Sequence, residues 1–275
     1  MTDKIFSDWL IVSDIDGTLI DKKRRTPRAN TDAIDRFVHT LGGNFTLASA
    51  RGVESLGPHY KNLPDVSTPA IVLNGAGIYD FRSEKMLWFN PIGEGGTEFV
   101  RKAMEKFPLL EIAVLTEDMI YLVRPRVLSP VMMMLDKLTH KRVKSIDDVP
   151  SHNRGKVIFF CPPFMKNKIR RYVSEISDGT VYYIDTTALS FDMVSCTTNK
   201  GNAVLKLAEL LGVPEENTGA IGDYYNDLEM LRSVKHPACC SQAPEELHEI
   251  CEFHACHCND GAVADFISYI ENKYK

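Results

Sequence analysis

Short apolar runs that end at glycine, serine or aspartate recur in the first and last parts of the chain. Such runs are typical of strands buried on both faces of a parallel sheet, and they predict strands at residues 10–12, 45–48, 70–73, 218–221 and 237–241. Apolar positions at helical spacing between the runs predict helices that begin at Thr26-Pro27, Val53, Lys200 and Pro244, and a terminal helix over 261–274. This strand–helix–strand order predicts right-handed crossovers and an α/β fold.

The alternation stops near residue 81 and resumes near residue 190. Between these points the sequence predicts helices at 94–107, 129–138 and 163–176, hairpins at 110–124 and 180–194, and a strand at 156–160. A mixed segment with its own helix and hairpin units is typical of a separate module. We therefore expect a doubly wound parallel-sheet core in residues 1–81 and 190–275, interrupted by an α+β insert in residues 82–189.

Composition is that of an ordinary globular chain, because 44% of the 275 residues are hydrophobic, 25% are charged and the formal net charge is −5. The basic clusters at 22–25 and 140–142 are short and are expected to be solvated faces, so we expect no nucleic-acid partner. No apolar run reaches the length of a membrane span, and the first residues, with Asp3 and Asp8, do not resemble a secretory signal. We expect a cytoplasmic monomer or weak homo-oligomer with no membrane partner.

The first apolar run leads directly into Asp14 and Asp16, which Gly17-Thr18 follow. Open α/β sheets bind ligands outside the carboxyl ends of their strands, so these carboxylates are well placed for chemistry. Two carboxylates this close repel each other beside a buried strand unless a cation compensates them, and Mg²⁺ is a hard ion that takes such oxygen ligands. The competing interpretation is an acidic turn capped by its own side chains.

A second carboxylate pair, Asp223 and Asp227, follows the strand at 218–221, with a spacing that can turn both side chains toward one ion. Lys200 stands at the start of a predicted helix, where a cation opposes the helix dipole. This mismatch indicates that the ammonium group has a role of its own. Ser49 follows the strand at 45–48, although a serine at a strand end carries little weight alone.

These stretches, in this order, resemble the haloacid dehalogenase (HAD) superfamily, most of whose members are Mg²⁺-dependent phosphotransferases. Asp-Ile-Asp-Gly-Thr-Leu at 14–19 is similar to its first motif, Ser49 has the position of the second, Lys200 of the third, and Gly-Asp-Tyr-Tyr-Asn-Asp at 222–227 of the fourth. Asn-Gly-Ala at 74–76 resembles a turn of the Cof-type phosphatases. The resemblance implies a Rossmann-like HAD core with a C2B cap in the insert, as in the sugar phosphatases of subclass IIB.

The same resemblance implies roles for individual residues. Asp14 would be the nucleophile that forms an aspartyl phosphate, and Asp16 the general acid and base. The implied Mg²⁺ ligands are Asp14, the backbone carbonyl of Asp16, Asp223 and, through water, Asp227. The implied phosphate or substrate contacts are Ser49, Arg51, Asn74, Lys200 and Asn226. The implied activity is hydrolysis of a phosphate monoester of a small molecule. Sugar phosphates are the family's common substrates.

Two positions depart from the family pattern. Relatives with this cap often have Thr-Gly-Arg where this chain has Ser49-Ala50-Arg51, so we expect a loop of different shape. Tyr224 stands where relatives mostly have a small residue, and it would either narrow the site or lend a hydroxyl group. In the insert, candidates to face the substrate, against the more common surface role of polar residues, are Tyr121, Arg124, His152 and Arg154.

Two alternatives stay open at this point. A phosphomutase similar to phosphomannomutase shares this core and cap type, and it would return the phosphoryl group to a bound intermediate. A phosphate-responsive regulatory protein like a receiver domain also clusters aspartates with a lysine. Receiver domains lack an insert of roughly 100 residues and stay near the common domain size, so the length of this chain argues against that class.

Five of the seven cysteines lie between residues 239 and 258, and His236, His254 and His257 lie in or next to this segment. A soft-metal site built from Cys256-His257-Cys258 and a partner pair is conceivable, but the spacings match no familiar zinc pattern such as Cys-x-x-Cys. We therefore expect reduced cysteines that pack as small hydrophobic groups.

Overall fold

The computed structural model describes residues 4–275. In chain order its strands are β1 (Leu10–Ser13), β2 (Asn44–Leu47), β3 (Ala70–Val72), β4 (Gly77–Asp80), β5 (Lys85–Phe89), β6 (Glu111–Leu115), β7 (Ile120–Val123), β8 (His140–Val143), β9 (Lys156–Phe160), β10 (Val181–Thr187), β11 (Ser190–Ser195), β12 (Thr218–Gly222), β13 (His236–Cys240) and β14 (Phe253–Ala255). Its α-helices are α1 (Arg28–Asp35), α2 (Val53–Lys61), α3 (Gly93–Lys106), α4 (Leu128–Leu135), α5 (Pro163–Ile176), α6 (Lys200–Leu211), α7 (Leu228–Ser233), α8 (Glu245–Ile250) and α9 (Ala262–Tyr274).

The chain forms two compact units. The first contains the chain up to Arg51, Leu56–Leu87 and Asn199–Lys275, and the second contains Gly52–Ser55 and Trp88–Thr198. The second unit thus runs to residue 198, whereas the sequence predicted an insert at 82–189, and the identity of that insert as a C2B cap stays a prediction. Among the described residues, none of the helices has the length and apolar character needed to cross a bilayer.

The first unit is built on a five-stranded parallel sheet with the order β14-β13-β12-β1-β2. The chain runs outward from β1 to β2, returns at β12 and then runs outward on the other side to β14. The order therefore reverses between β1 and β12, at the kind of switch point where open α/β sheets bind ligands. Both strands are buried along their whole length, which explains their continuous apolar sequence. The predicted parallel α/β core is confirmed.

The strand predicted at 70–73 has different neighbours from those expected. β3 ends at Val72 and pairs antiparallel with β4, in a small sheet with the order β3-β4-β5. It meets the core sheet at a single parallel bridge between Ala48 and Ile71. The cause is the turn at Leu73–Gly75, where Asn74 has a φ of 60° and the chain reverses.

Helix starts and short strands account for the other differences in the first unit. The N-cap of α1 is Pro27, not Thr26, and the helix continues into a π-helical stretch at Arg36–Thr40. Apolar side chains at helical spacing in this segment are buried, at Ala33, Ile34, Phe37 and Leu41. β14 was not predicted, because a strand of three residues is too short for periodicity to reveal it.

The second unit contains a six-stranded sheet with the order β10-β11-β9-β6-β7-β8. β7 and β8 are parallel, and the other paired strands of this sheet are antiparallel. Apolar side chains of α3 and α5, such as Phe99 and Val173, share one core with Phe159 of the sheet. The helix and hairpin units that the sequence predicted are therefore packed as a module with its own core.

Buried polar groups fix connections within the second unit. The carboxylate of Glu111 in β6 accepts four backbone N–H bonds of 2.9 to 3.1 Å from residues 126–129, where α4 begins. Arg154 is only 3% exposed, and it donates to the carbonyl oxygens of Ile146 and Val149. Arg154 therefore holds the unit's own loops, which differs from both the substrate-facing and the surface role considered from the sequence.

Candidate active site

The switch point of the core sheet carries the first carboxylate of each predicted pair. Asp14 follows β1 directly, and Asp223 follows β12 directly. The backbone N–H of Asp14 donates to the carbonyl oxygen of Ile221 at 3.0 Å, so the parallel register continues past the end of β1. This continuity holds the two loops side by side at the carboxyl edge of the sheet.

Lys200 connects the two loops from the start of α6. Its Nζ lies 2.5 Å from Oδ1 of Asp14 and 2.6 Å from Oδ1 of Asp227, and all three side chains are buried. The helix is capped by Asn199, whose side chain accepts the N–H of Asn202 at 2.7 Å. Two carboxylates compensate for the unfavourable position of a cation at a helix N-terminus. The mismatch noted in the sequence therefore has a structural cause.

Asp227 is completely buried, and both of its carboxylate oxygens accept hydrogen bonds from the protein. One carboxylate oxygen accepts from Lys200, and the other accepts the backbone N–H groups of Asp223 at 3.0 Å and Tyr224 at 3.3 Å. These bonds fix the loop that carries Asp223 and orient the ammonium group. The prediction that Asp227 binds the metal through water stays a prediction.

The pKa values of the site show that it holds more negative charge than its own cation balances. The pKa of Asp14 is raised to about 7, first by burial and then by the charge of Asp227, although Lys200 opposes the rise. Burial and Asp227 also raise the pKa of Asp223 to about 6. Burial lowers the pKa of Lys200, but the two carboxylates outweigh burial and raise it overall. The lysine is therefore a permanent cation, and a second cation would stabilise the ionised carboxylates.

Three carboxylates of this site are close enough to share an ion. Asp14, Asp223 and Asp227 each offer an oxygen, and these oxygens lie within 4.8 Å of one another. Thr18 Oγ1 donates to Oδ1 of Asp223 at 3.3 Å. Gly17 has a φ of +93°, and a Cβ atom there would collide with the carboxylate of Asp223. Only glycine therefore allows the first loop to approach the second so closely.

Asp16 is held by Arg51 at the mouth of the site. Nε and Nη2 of Arg51 donate to the two carboxylate oxygens of Asp16 at 3.0 and 2.8 Å, in a bidentate pair. The side chain of Asp16 is 53% exposed, unlike that of Asp14. Beside it lies a cavity of about 270 Å³, lined in part by Asp16, Asp223, Lys22, Arg24 and Gln242. The half-exposed carboxylate therefore faces a space where a small molecule can enter.

Ser49 and Asn74 lie at the same edge of the sheet as Asp14. Leu47 is paired with Ser13 in the β1–β2 register, so the residues after both strands are neighbours. The backbone N–H of Asn74 donates to the carbonyl oxygen of Ser49 at 2.9 Å, and both side chains are buried. The amide nitrogen of Asn74 has no hydrogen-bond partner among the described residues. A buried donor without a partner is costly, and a bound acceptor such as a phosphate oxygen would satisfy it.

The turn of Asn74 also abuts the start of α6. A Cβ atom on Gly75 would collide with the backbone of Asn199 and Lys200, so the two segments are in close contact. Asn226, in contrast, is exposed on the loop after β12. The predicted residues Asp14, Asp223, Asp227, Lys200, Ser49 and Asn74 thus come together, while Arg51 contacts the site through Asp16.

Sequence reasoning missed two residues that shape this site. Thr18 lies inside the motif that was identified, so its contact with Asp223 had a visible signal. Gln242 had none, because it follows β13 in a loop; its side chain donates to the carbonyl oxygen of Gly17 at 2.6 Å and contacts Asp223. The ring of Tyr224 is 57% exposed and packs edge-on against that of Tyr225.

Comparison with known proteins identifies the family and the fold of the chain. A family model described as haloacid dehalogenase-like hydrolase matches residues 11–267. The chain is 24% identical over 288 aligned positions to the 5-amino-6-(5-phospho-D-ribitylamino)uracil phosphatase YwtE of Bacillus subtilis, with 94% of this chain and 97% of that protein covered. A solved haloacid dehalogenase-like hydrolase from Bacteroides thetaiotaomicron superposes with a TM-score of 0.82 at 20% identity, over 95% of this chain and 99% of that one. The HAD subclass IIB sugar phosphatase BT4131 gives a TM-score of 0.76 at 17% identity, over 96% and 99%.

Proposed function

The chain belongs to the haloacid dehalogenase-like hydrolase family, and on that premise we propose that this phosphatase hydrolyses a sugar or polyol phosphate with the help of Mg²⁺. The observation that carries the proposal is the ammonium group of Lys200, which lies between Asp14 and Asp227 at the switch point of the sheet. Such a cation can neutralise a carboxylate nucleophile and the phosphoryl group that it attacks.

The residues of the site fit Mg²⁺. Hard carboxylate oxygens are the ligands this ion prefers, and Asp14 and Asp223 have pKa values that burial has raised, so a cation would be stabilising. Asp14, Asp223 and the backbone carbonyl of Asp16 would hold the ion, with Asp227 as a contributor through water. When bound, the ion offsets the charge of the phosphoryl group and orients it for in-line attack.

The chain's own residues would perform the reaction in two steps. An oxygen of Asp14 attacks phosphorus, the bond from phosphorus to the leaving oxygen breaks, and Asp16 gives that oxygen a proton. Asp16 then takes a proton from a water molecule, which attacks the aspartyl phosphate and releases inorganic phosphate. Ser49, Lys200 and Asn74, whose amide nitrogen has no hydrogen-bond partner within residues 4–275, would bind phosphoryl oxygens.

The proposed substrate class rests on relatives and on the cavity beside Asp16. YwtE is named for a ribityl phosphate and BT4131 for sugar phosphates, and both match nearly the whole chain. The cavity of about 270 Å³ is lined by three carboxylates as well as by Lys22 and Arg24, and we propose that these two cations contact the phosphate group of the ligand. We propose that the enzyme acts in the cytoplasm as a monomer or weak homo-oligomer, and light scattering would test its assembly. All seven cysteines are unpaired, which agrees with a reducing compartment.

The test is phosphate release from p-nitrophenyl phosphate and from a panel of sugar and polyol phosphates. The wild-type protein should release phosphate with Mg²⁺ and lose that activity with a chelator. Asp14→Asn should reduce release to background in every case, because it removes the nucleophile. Isomerised sugar phosphate without free phosphate would replace this proposal with the mutase, and no turnover by folded protein with Mg²⁺ would refute it.

Asp16→Asn separates the two steps. p-Nitrophenolate leaves without needing a proton, so this variant should release about one equivalent in a burst and then stall as the aspartyl phosphate. Sugar phosphates need the proton in the first step, so their turnover should fall by roughly 10²- to 10⁴-fold without a burst. Equal loss for both substrates, with no burst, would contradict the role of Asp16.

A further inference from the structure

A group of thiols and imidazoles lies at the edge of the core sheet, built from residues that the reaction above does not use. Cys239 lies in β13, His248 in α8, Cys251 directly after α8, and His254 in β14. We call these four residues the thiol–imidazole cluster. Cys239 and His254 are partners in the parallel register of β13 and β14, so their side chains lie next to each other on one face of the sheet.

The cluster has the dimensions of a small metal site. Sγ of Cys239 lies 3.3 Å from Nδ1 of His248, and the rings of His248 and His254 are 4.7 Å apart and perpendicular. The ligand atoms of these three residues lie within 4.8 Å of one another. A tetrahedral zinc ion needs sulfur and nitrogen about 3.6 Å apart, as its bond lengths dictate, and the 3.3 Å between Cys239 and His248 is close to this value.

We assign the fourth position to Cys251, whose sulfur is not among the ligand atoms within 4.8 Å of one another and must move to bind the ion. The thiol of Cys251 interacts with that of Cys239, and this interaction lowers the pKa of Cys239 and raises the pKa of Cys251. The local spacing is His248-x-x-Cys251-x-x-His254, so the three residues lie within one short stretch of the chain. Two thiolates and two imidazoles are a familiar ligand set for structural zinc.

Burial and outer contacts also suit a structural ion. Cys239 is completely buried, while His248 is partly exposed and His254 is exposed, so the site is anchored inside and open on one side. Nε2 of His254 lies 3.0 Å from the carbonyl oxygen of His248. A hydrogen bond of this kind orients metal-binding imidazoles and leaves the other ring nitrogen free to bind.

We propose that Cys239, His248, Cys251 and His254 bind one zinc-like divalent ion that ties β13, α8 and β14 together. Its ligand set is distinct from that of the carboxylate site, since thiolates favour zinc and carboxylates favour magnesium. The residues considered from the sequence, Cys256-His257-Cys258, are not among the metal-sized groups found within residues 4–275. The proposal does not rest on the phosphatase activity.

The test uses the full-length protein, reduced, stripped with a chelator and titrated with Co²⁺ while Mg²⁺ occupies the carboxylate site. We expect one equivalent of Co²⁺ to give the thiolate-to-cobalt charge-transfer band and the intense visible bands of a tetrahedral ion. One equivalent of Zn²⁺ should abolish these bands and raise the melting temperature. Octahedral binding to carboxylates gives no charge-transfer band, so the two sites are distinguished.

Variants assign the ligands. His254→Gln changes an exposed residue and should weaken Co²⁺ binding at least about 100-fold with the fold intact, and Cys251→Ser should remove about half of the charge-transfer intensity. Cys256→Ser is the matched control, because Cys256 lies next to β14 but outside the cluster, and its spectrum should equal that of the wild type. The proposal is overturned by the absence of a charge-transfer band, or by spectra that change with Cys256→Ser instead of the cluster variants.

Discussion

Replacing the nucleophile Asp14 by asparagine should stabilise the metal-free protein. The carboxyl group of Asp14 is buried beside Asp227, and burial is the largest cause of its raised pKa. Asparagine has nearly the same shape as the protonated acid but cannot ionise. The substitution therefore removes the unfavourable ionised state while Lys200 keeps its bond to Asp227. Active sites often hold such strain because function requires it.

The magnitude follows from the shift in pKa. The pKa of Asp14 rises from 3.8 to about 7, a change of about three pH units. Each unit corresponds to about 1.4 kcal/mol, so the ionised side chain lowers the free energy of unfolding by about 4 kcal/mol at pH 8. A group with a raised pKa stabilises the folded state below its unfolded pKa and loses that contribution as pH rises to the folded value. The advantage of Asp14→Asn should therefore be about 0.6 kcal/mol at pH 4, about 2 kcal/mol at pH 5, and nearly constant above pH 7.

The assay is thermal unfolding of both proteins with a chelator at pH 5, 6, 7 and 8. At pH 8 Asp14→Asn should melt roughly 10 °C above the wild type. Adding Mg²⁺ should raise the melting temperature of the wild type and change the variant much less, because the variant has lost a ligand and the ion stabilises the state that it binds.

Asp16→Asn is the matched control, since its carboxylate lies two residues away and is half exposed. This variant should melt close to the wild type at every pH. If Asp14→Asn is no more stable than the wild type at pH 8 with chelator, or if its advantage does not shrink between pH 7 and pH 5, the electrostatic account of the site is wrong.

Three further predictions concern buried or paired charges. Lys200→Met leaves two buried carboxylates without their cation, so the free energy of unfolding at pH 8 should fall by about 3–5 kcal/mol. Phosphate release should fall by at least about 100-fold. An unchanged urea midpoint would contradict this prediction. Arg51→Ala should lower kcat/KM for phosphate esters by roughly 10²-fold. Its melting temperature should stay close to that of the wild type, because the ion pair with Asp16 is partly exposed. A large loss of stability with normal kinetics would assign Arg51 a structural role instead. Burial raises the pKa of Glu111, but its hydrogen bonds outweigh burial and hold the pKa below 4.5. The ionised carboxylate therefore stabilises the folded state above pH 4.5, and this contribution is lost as the pH falls through the pKa of Glu111 in the folded protein. Glu111→Gln should destabilise the second unit by about 2 kcal/mol at pH 7, and the difference in urea midpoint should diminish below pH 4.

Local sequence patterns were sufficient to predict which carboxylates lie at the switch point of the sheet. Asp14 and Asp223 each follow an apolar run, and parallel strands bring their carboxyl ends to one edge, so their proximity could be predicted without coordinates. The same reasoning placed Ser49 beside them, because β2 is the neighbour of β1. It misplaced the pairing of β3, since the reversal at Asn74 depends on a left-handed backbone that the apolar run does not reveal.

The sequence by itself thus determined the α/β class, four of the five strands of the core sheet and the order in which its polar residues meet the sheet edge, because strand and helix periods are local properties. Only the tertiary structure decided that Lys200 lies between two carboxylates and that both carboxylate oxygens of Asp227 accept hydrogen bonds from other protein groups. It also brought Cys239 next to His254, through the register of two strands separated by a helix. These are contacts between distant segments, and side-chain geometry across such distances has no counterpart in the spacing of residues along the chain.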